Sequence, residues 1–472
     1  MAVDAVDAER RPARGNDNAI AEYFRFAERG TTLGTEARAG LTTFMVMAYI
    51  LFLNPNILSN MFGEPGSAAA EGFKAPAAAA TALVAGVMSI LMGVVANVPI
   101  ALAAGLGINA LVAFALVLGA GLTPAGAMGV IVLEGIVVLL LVLVGLREAI
   151  MNAVPLSLKR AIAVGIGLFI LFIGFFDGGL IVGQAPPNPP VAFVFPTAPG
   201  AAVTLIGVLI TIALFVRRVP AALLLSILIT TVIAIVVGVQ RLPSQFVVAP
   251  SFSTLGQFDL GNVFSVLGPL AAVLTIFSFM LTDFFDTMGT ATAISEQAGI
   301  TEADGRVPNT GRLLAVDSIA AIAGGAAGIS SNTSYIESAA GVAEGGRTGF
   351  AAVVVGVLFL AAILLSPLAT LVPFAATAPV LIVVGFLMVS LVRDIDFADF
   401  EEGLPALLAL ILMPLTFSIT VGIGAGFISY VVIKAVVGKA RDVHPLMWLV
   451  AAAFVVYFAQ NWLNSVISPA GS

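Results

Sequence analysis

Apolar residues run along this chain in blocks about the length of a bilayer crossing, not in the short alternations of a half-buried sheet. Judged by length and flanking charge, the blocks fall at 37–60, 76–97, 100–118, 122–146, 157–176, 199–216, 219–239, 263–291, 312–328, 331–345, 347–366, 374–392, 404–419, 421–437 and 446–464. Each is predicted as a membrane helix, because backbone in lipid must satisfy its own N–H and C=O groups. With the N-terminus in the cytoplasm and the blocks alternating sides, every basic residue except Lys74 and Arg241 falls on the cytoplasmic side, as the positive-inside rule expects. That is one block more than an even set of about fourteen crossings. The block at 446–464 is open between a span and an interfacial helix, and 404–437 between two spans and one interrupted span.

The pattern repeats. L-T-T-F-M-V-M at 41–47 returns as L-T-I-F-S-F-M at 274–280, A-A-G-L-G-I-N at 103–109 as A-A-G-I-S-S-N at 326–332, and Val154-Pro155 as Val372-Pro373. The order is kept and pairs the first span with the eighth, the third with the tenth and the fifth with the twelfth. An odd number of spans per repeat inserts the two halves with opposite orientation, the inverted-repeat arrangement of secondary transporters. The third and tenth spans are also the interrupted ones. One opens with Asn97-Val98-Pro99 and carries Gly105 and Gly107; the other follows Gly324, Gly325 and Gly328 with Ser330, Ser331, Asn332 and Thr333. These read as short extended segments leading into helix caps. Such backbone is tolerated at membrane depth only where protein or a cavity satisfies it, which predicts a midplane binding site between the two spans. The expected fold is an all-α polytopic membrane protein in a seven-plus-seven inverted repeat, with repeats at 31–240 and 260–464 and a cytoplasmic segment at 1–30.

Composition narrows the function classes. The chain is 60% apolar and 10% charged, against roughly 25% charge in soluble domains, so no separate soluble domain is expected. Residues 1–30 lack an apolar core like that of a cleavable signal peptide. With no cysteine and a single histidine, His444, in a basic loop, disulfides, thiolate chemistry and a metal centre are not expected, nor is a cofactor. Nothing supports nucleic-acid binding.

Candidate chemistry begins with Asp283 and Asp286, one turn apart in L-T-D-F-F-D-T-M-G-T. A charge at that depth costs about 2.5–3.5 kcal/mol on an insertion scale, so an intramembrane acid is a functional candidate by default. Glu337 lies about one turn into the second half of the tenth span, two residues after Tyr335, and Asn109 takes the equivalent place in the first repeat. With Thr333 and Ser338 in the same stretch, these groups suit a flat polar heterocycle. A carboxylate accepts paired ring N–H and amino hydrogens, Asn109 donates and accepts, and Tyr335 offers a ring face. Structural roles stay open: Asp283 or Asp286 as acceptors for neighbouring helix ends, Tyr335 as packing, and the deep acids Glu134 and Asp317 as proton binders or interhelical bonds. Glu344 is expected to pair with Arg347, and the acidic run from Asp394 to Glu402 to be a solvated loop.

Four stretches carry a resemblance: G-T-T-L-G-T-E-A-R-A-G-L-T-T-F-M-V-M-A-Y-I-L-F-L-N-P at 30–55, T-D-F-F-D-T-M-G-T at 282–290, Y-I-E-S-A-A-G-V-A-E-G-G-R-T-G at 335–349 and M-P-L-T-F-S-I at 413–419. The chain resembles the AzgA-type adenine/guanine/hypoxanthine permeases of the nucleobase-cation symporter and nucleobase-ascorbate transporter superfamily. The resemblance implies a core domain from about 37–146 and 263–366 and a gate domain from about 155–240 and 372–464, with substrate between the half-helices of the third and tenth spans. It matches Asp286, Glu337 and Asn109 to the family's acid, acid and amide, and Tyr335-x-Glu337 to the aromatic-x-acid of related uracil permeases. The sequence departs from the family pattern at Ala104, usually proline, at Leu111, usually aromatic, and at Val421, often an acid.

The resulting expectation is a non-enzymatic importer of purine nucleobases in the inner or plasma membrane, driven by proton symport through an elevator motion. Asp286 and Glu337, then Asp283, Asp317 and Glu134, are its proton-coupling candidates. Purine, protons and lipid are the expected partners; sodium is the less expected coupling ion, and a homodimer is compatible. The rival with the same fold is a sulfate or bicarbonate transporter, which two buried acids would oppose by repulsion. An intramembrane aspartyl enzyme is more remote, since Asp283 and Asp286 share one helix.

Overall fold

The computed structural model describes residues 19–64, 66–145, 153–184, 190–242, 249–302 and 306–467, with side chains to residue 459; most of the expected cytoplasmic segment at 1–30 lies outside the described residues. The first half comprises α1 (Leu33–Met47), α2 (Ile50–Ser59), α3 (Ala68–Ala96), β1 (Leu102–Ala104), α4 (Leu106–Gly119), α5 (Pro124–Leu143), α6 (Leu156–Asp177), a small hairpin of β2 (Ile181–Gly183) and β3 (Val191–Phe193), α7 (Pro199–Val216) and α8 (Ala222–Val237). The second half comprises α9 (Leu260–Leu267), α10 (Pro269–Ala298), α11 (Thr310–Ala326), β4 (Asn332–Ser334), α12 (Ser338–Ala343), α13 (Gly349–Ala362), a 3-10 stretch at Ile363–Leu371, α14 (Phe374–Val389), α15 (Phe400–Thr416), α16 (Ile419–Val436) and α17 (Pro445–Ile467). This is the expected inverted repeat of membrane helices. α1–α5 pack with α10–α13, and α6–α8 pack with α14–α16.

The two halves meet symmetrically where the sequence repeats. Val154-Pro155 and Val372-Pro373 stand immediately before α6 and α14. Gly167 and Gly385, equivalent in the two repeats, face each other across these helices; an added Cβ would stand 3.0 Å from the Gly385 carbonyl oxygen or 2.7 Å from that of Gly167. α3 and α13 approach as closely, with Gly93 against Gly349 and Gly86 against Gly356. Without a hydrophobic drive between helices in lipid, small residues of this kind let backbones gain dispersion contact.

The short extended segments are strands. β1 and β4 pair antiparallel, Leu102 opposite Ser334 and Ala104 opposite Asn332, so the interrupted spans satisfy each other's backbone. Beyond them, α4 spans only about 21 Å at 1.5 Å per residue, short of the roughly 30 Å hydrocarbon core. Its second part, Leu111–Gly119, is a π-helix.

Three sequence expectations take more definite form. Residues 404–437 are two helices, divided where Phe417 adopts a left-handed conformation (φ 52°) and Ser418 caps α16. The last apolar block is one continuous helix, α17. The acidic run is not simply a solvated loop: Glu401 and Glu402 sit in the first turn of α15 and clamp Lys434 of α16 at 2.9 and 3.0 Å, while Lys439 reaches Glu401 at 2.6 Å.

The glycine contacts make a stability prediction. Gly93→Val drives a branched side chain into the α13 backbone and should destabilise by about 1–3 kcal/mol, whereas Gly72→Ala, on the same helix with nothing near an added Cβ, should be neutral or slightly stabilising. Thermal melting of the two purified variants checks the contrast.

Candidate functional site

The paired strands set the register of everything around them. Tyr335 N–H donates to the Ala101 carbonyl and Gly105 N–H to the Ser331 carbonyl, both outside the three-residue strands. Residues 101, 103 and 105 therefore turn their polar groups to β4, and 102 and 104 turn theirs away. Leu102 exchanges bonds with the Ser89 hydroxyl, and the Ala104 carbonyl accepts from the Tyr335 hydroxyl at 2.6 Å. The N–H of residue 104 thus takes no part in the ladder, so a proline, as in the family pattern, would lose no ladder bond and alanine keeps the pairing intact. Thr333 and Ser338 are also committed: Thr333 exchanges a hydroxyl bond with Thr287 at 2.8 Å, and Ser338 accepts from Ala101 N–H at 3.0 Å.

The acids separate into two sets. Asp286 is exposed, on a stripe of α10 that continues with Gly289 and Ala293 at helical spacing, and it lies within electrostatic range of Glu337. A carboxylate on such a stripe requires water, since lipid would impose the cost of a bare charge; the stripe is therefore read as the wall of an aqueous cleft. Glu337 is half-buried immediately before α12. The Tyr49 hydroxyl, from the joint between α1 and α2, donates to its Oε1 at 2.6 Å. Asn109 is fully buried in α4, and neither its amide oxygen nor its nitrogen has a hydrogen-bond partner among the described residues. A buried, unpaired amide is costly unless a ligand or water completes it.

The second set is closed. Asp283 is buried, accepts from the Ser331 hydroxyl at 3.2 Å and leaves its other oxygen unpartnered. Asp317 accepts from Thr287 at 2.7 Å and Ser334 at 2.8 Å. Glu134 is fully buried without a partner meeting hydrogen-bond geometry, although Ser331 lies near enough to interact with it. Glu134 and Asp317 both lie within electrostatic range of Asp283. The acids thus differ in access, Asp286 exposed and Glu337 half-buried against the buried Asp283, Asp317 and Glu134, while Asp286 lies within electrostatic range of Glu337, Asp283 and Asp317 alike. Ser331 and Ser334, at and beside β4, hold the buried acids Asp283 and Asp317. Asn332, fully buried with neither amide atom partnered among the described residues, joins the polar interior there.

α12 is docked on α1 in antiparallel fashion. Glu36, fully buried, accepts from the backbone N–H groups of Arg347 (2.8 Å) and Thr348 (3.3 Å) at the start of α13. Midway, a Cβ on Gly341 would fall 2.5 Å from the Ala39 carbonyl oxygen and 2.2 Å from the Thr43 hydroxyl oxygen. Tyr49 and Glu337 close the far end. Glu344 does not pair with Arg347 as expected: it meets Arg38 at 3.5 Å, while the Arg347 guanidinium donates to the carbonyls of Val342 and Gly346. Tyr49 and Glu36 were not candidates from residue type alone. Their signal was the G-T-E-A-R stretch at the edge of the first apolar block and the Y-I-L-F-L-N-P stretch within it.

Against known proteins, the permease family model Xan_ur_permease matches residues 34–425. The guanine/hypoxanthine permease PbuG of Bacillus subtilis is 41% identical over 92% of this chain and 98% of its own. The adenine permease AdeP of Escherichia coli K12 is 42% identical over 93% of this chain and 95% of its own. Among solved structures, the transmembrane domain of a cyanobacterium bicarbonate transporter, BicA, aligns with a TM-score of 0.58 at 18% identity over 84% of this chain and 97% of that one, a likeness of fold.

The exposed stripe is testable by labelling, since the chain has no cysteine of its own. Gly289→Cys and Ala293→Cys should react with a membrane-impermeant maleimide from one side of the membrane, and Thr287→Cys, at a fully buried position, should not. Equal protection of all three would remove the cleft.

Proposed function

The chain belongs to this permease family, a non-enzymatic class of membrane transporter, and from that premise we propose that it imports purine nucleobases by proton symport across the inner or plasma membrane. The bundle of α1–α5 and α10–α13 acts as the core and the α6–α8 and α14–α17 bundle as the gate, and the core carries its cargo as an elevator. The N-terminus lies in the cytoplasm, as the distribution of basic residues supports.

The juxtaposition of Asp286 and Glu337 beside the joined broken spans, with the Asn109 amide unsatisfied, supports a neutral base as cargo. Glu337 accepts the base's N–H edge, and Asn109 reads a donor–acceptor pair. The relatives named for guanine, hypoxanthine and adenine support a purine in that place. Coupling follows from the same geometry. A carboxylate in a confined site binds a proton at the expense of its charge, so proton and base occupancy are linked there. Two acids beside the cargo site oppose an anion, and the likeness to a bicarbonate transporter, being one of fold, does not alter that.

Glu337→Gln replaces an acceptor by a group that also presents donors to the base. It should weaken binding by about 1.5–3 kcal/mol, ten- to more than a hundredfold in Kd, as expected for a lost hydrogen bond to charge; calorimetry on purified protein measures it.

Each proton carried inward with a neutral base moves one charge, worth about 2.3 kcal/mol per 100 mV. Uptake of radiolabelled adenine, guanine and hypoxanthine into sodium-free liposomes should therefore accelerate with an inside-negative potential and collapse with a protonophore. Indifference to both would leave a facilitator, and dependence on added sodium would move the coupling to that ion.

A further inference from the structure

We infer that Tyr49 is a positioning residue for the cargo: its hydroxyl fixes the plane of the Glu337 carboxylate on which a base's N–H edge docks. It sets affinity from behind the acid without touching the base. This rests on Glu337 being the base-binding acid.

The geometry begins with two tyrosines that could both serve Glu337. Tyr335 is two residues away in sequence, but its hydroxyl is held by the Ala104 carbonyl, so it stabilises the strand pair. Tyr49, distant in sequence and fully buried, supplies the hydroxyl. Its bond to Oε1, at 2.6 Å, has the short length of an O–H donor meeting a charged acceptor. Tyr49 stands where α1 ends and α2 begins, with φ −56° and ψ −23°, so the ring enters the interior from a helical joint packed on both sides. A carboxylate offers about four acceptor directions over two oxygens. Tyr49 takes one, on Oε1, the backbone N–H of Glu337 also engages the carboxylate, and the remaining directions are left for paired N–H donors.

An unanchored glutamate would sample several rotamers at the mouth of a cleft, and a base would have to order it on binding. Tyr49 removes that cost only if its own position relative to α12 is fixed. The antiparallel docking of α1 on α12 provides this: Glu36 holds the N–H groups of Arg347 and Thr348 at one end, and Gly341 lies against Ala39 and Thr43 in the middle. Both partners of the bond belong to the same helix bundle, so a sliding core carries the bond unbroken through the transport cycle.

The test begins with equilibrium binding of adenine, guanine and hypoxanthine to the purified wild-type protein; absence of binding there defeats the purine reading itself, separately from this inference. With wild-type binding in hand, Tyr49→Phe keeps the ring and removes only the donor. The expected result is a Kd raised about tenfold, the scale of one lost hydrogen bond to a charged group. In liposomes, KM rises by a similar factor with Vmax nearly unchanged, and the melting temperature stays near wild type. A Kd within twofold of wild type overturns the inference, as does a loss that falls on Vmax with KM unchanged. Incorporating 3-fluorotyrosine at position 49 is the second arm. It preserves shape and strengthens the donor, so it should bind the base at least as tightly as wild type whether or not the Phe variant folds. Weaker binding by the fluorinated protein overturns the inference.

Discussion

A backbone amide at membrane depth has no water to turn to, and the rest of this structure depends on how that demand is met. Ordinary spans meet it within the helix. The third and tenth do not, and β1 and β4 instead pair with each other, continuing through Gly105 to Ser331 and Tyr335 to Ala101. The pairing has two consequences. It brings two segments more than two hundred residues apart into one register, and it starts α4 and α12 just beyond opposite ends of one strand pair. Gly105 makes the approach possible, since a Cβ there would come 2.8 Å from the Thr333 methyl group.

Around that joint the carboxylates are sorted by access. Asp286 is exposed and Glu337 half-buried, whereas Asp283, Asp317 and Glu134 are buried behind β4 among hydroxyl groups. Buried charge is tolerated only with partners. The dense Ser and Thr content of 330–334 and of Thr287 therefore belongs to the same design as the acids. Hydroxyls of this kind donate to a carboxylate and accept from a carboxylic acid, so the enclosure suits either protonation state.

Close packing where the site is built follows from small residues. Gly93 on Gly349, Gly86 on Gly356 and Gly341 on Ala39 weld α1, α3, α12 and α13 together, while Gly167 on Gly385 welds α6 to α14. Between the bundles, Gly107 of α4 lies against Ile166 and Ile170 of α6 within one continuous apolar core, and polar contacts are added to it: Lys159 over the Phe285 ring, the Asn56 amide on the Val372 carbonyl, and Asn60 toward Asp177. The polar and cation–π bonds among them are individually of modest strength.

Sequence alone determined the class, the repeat and the location of the interrupted spans, because lipid imposes a length on helices and glycine and proline punctuate what cannot be helical. It also marked Asp286, Glu337 and Asn109, since polar groups in an apolar block are conspicuous. It did not decide which acids are accessible, because Asp283 and Asp286 differ by less than a turn and only packing buries the first and leaves the second exposed. It could not distinguish the two tyrosines, because adjacency favours Tyr335, whereas the docking of α1 on α12 delivers Tyr49 to Glu337. Nor could it pair Glu344 with Arg38 over Arg347. Periodicity and hydropathy are properties of neighbouring residues; a hydrogen bond between residues hundreds of positions apart exists only once the chain has closed on itself.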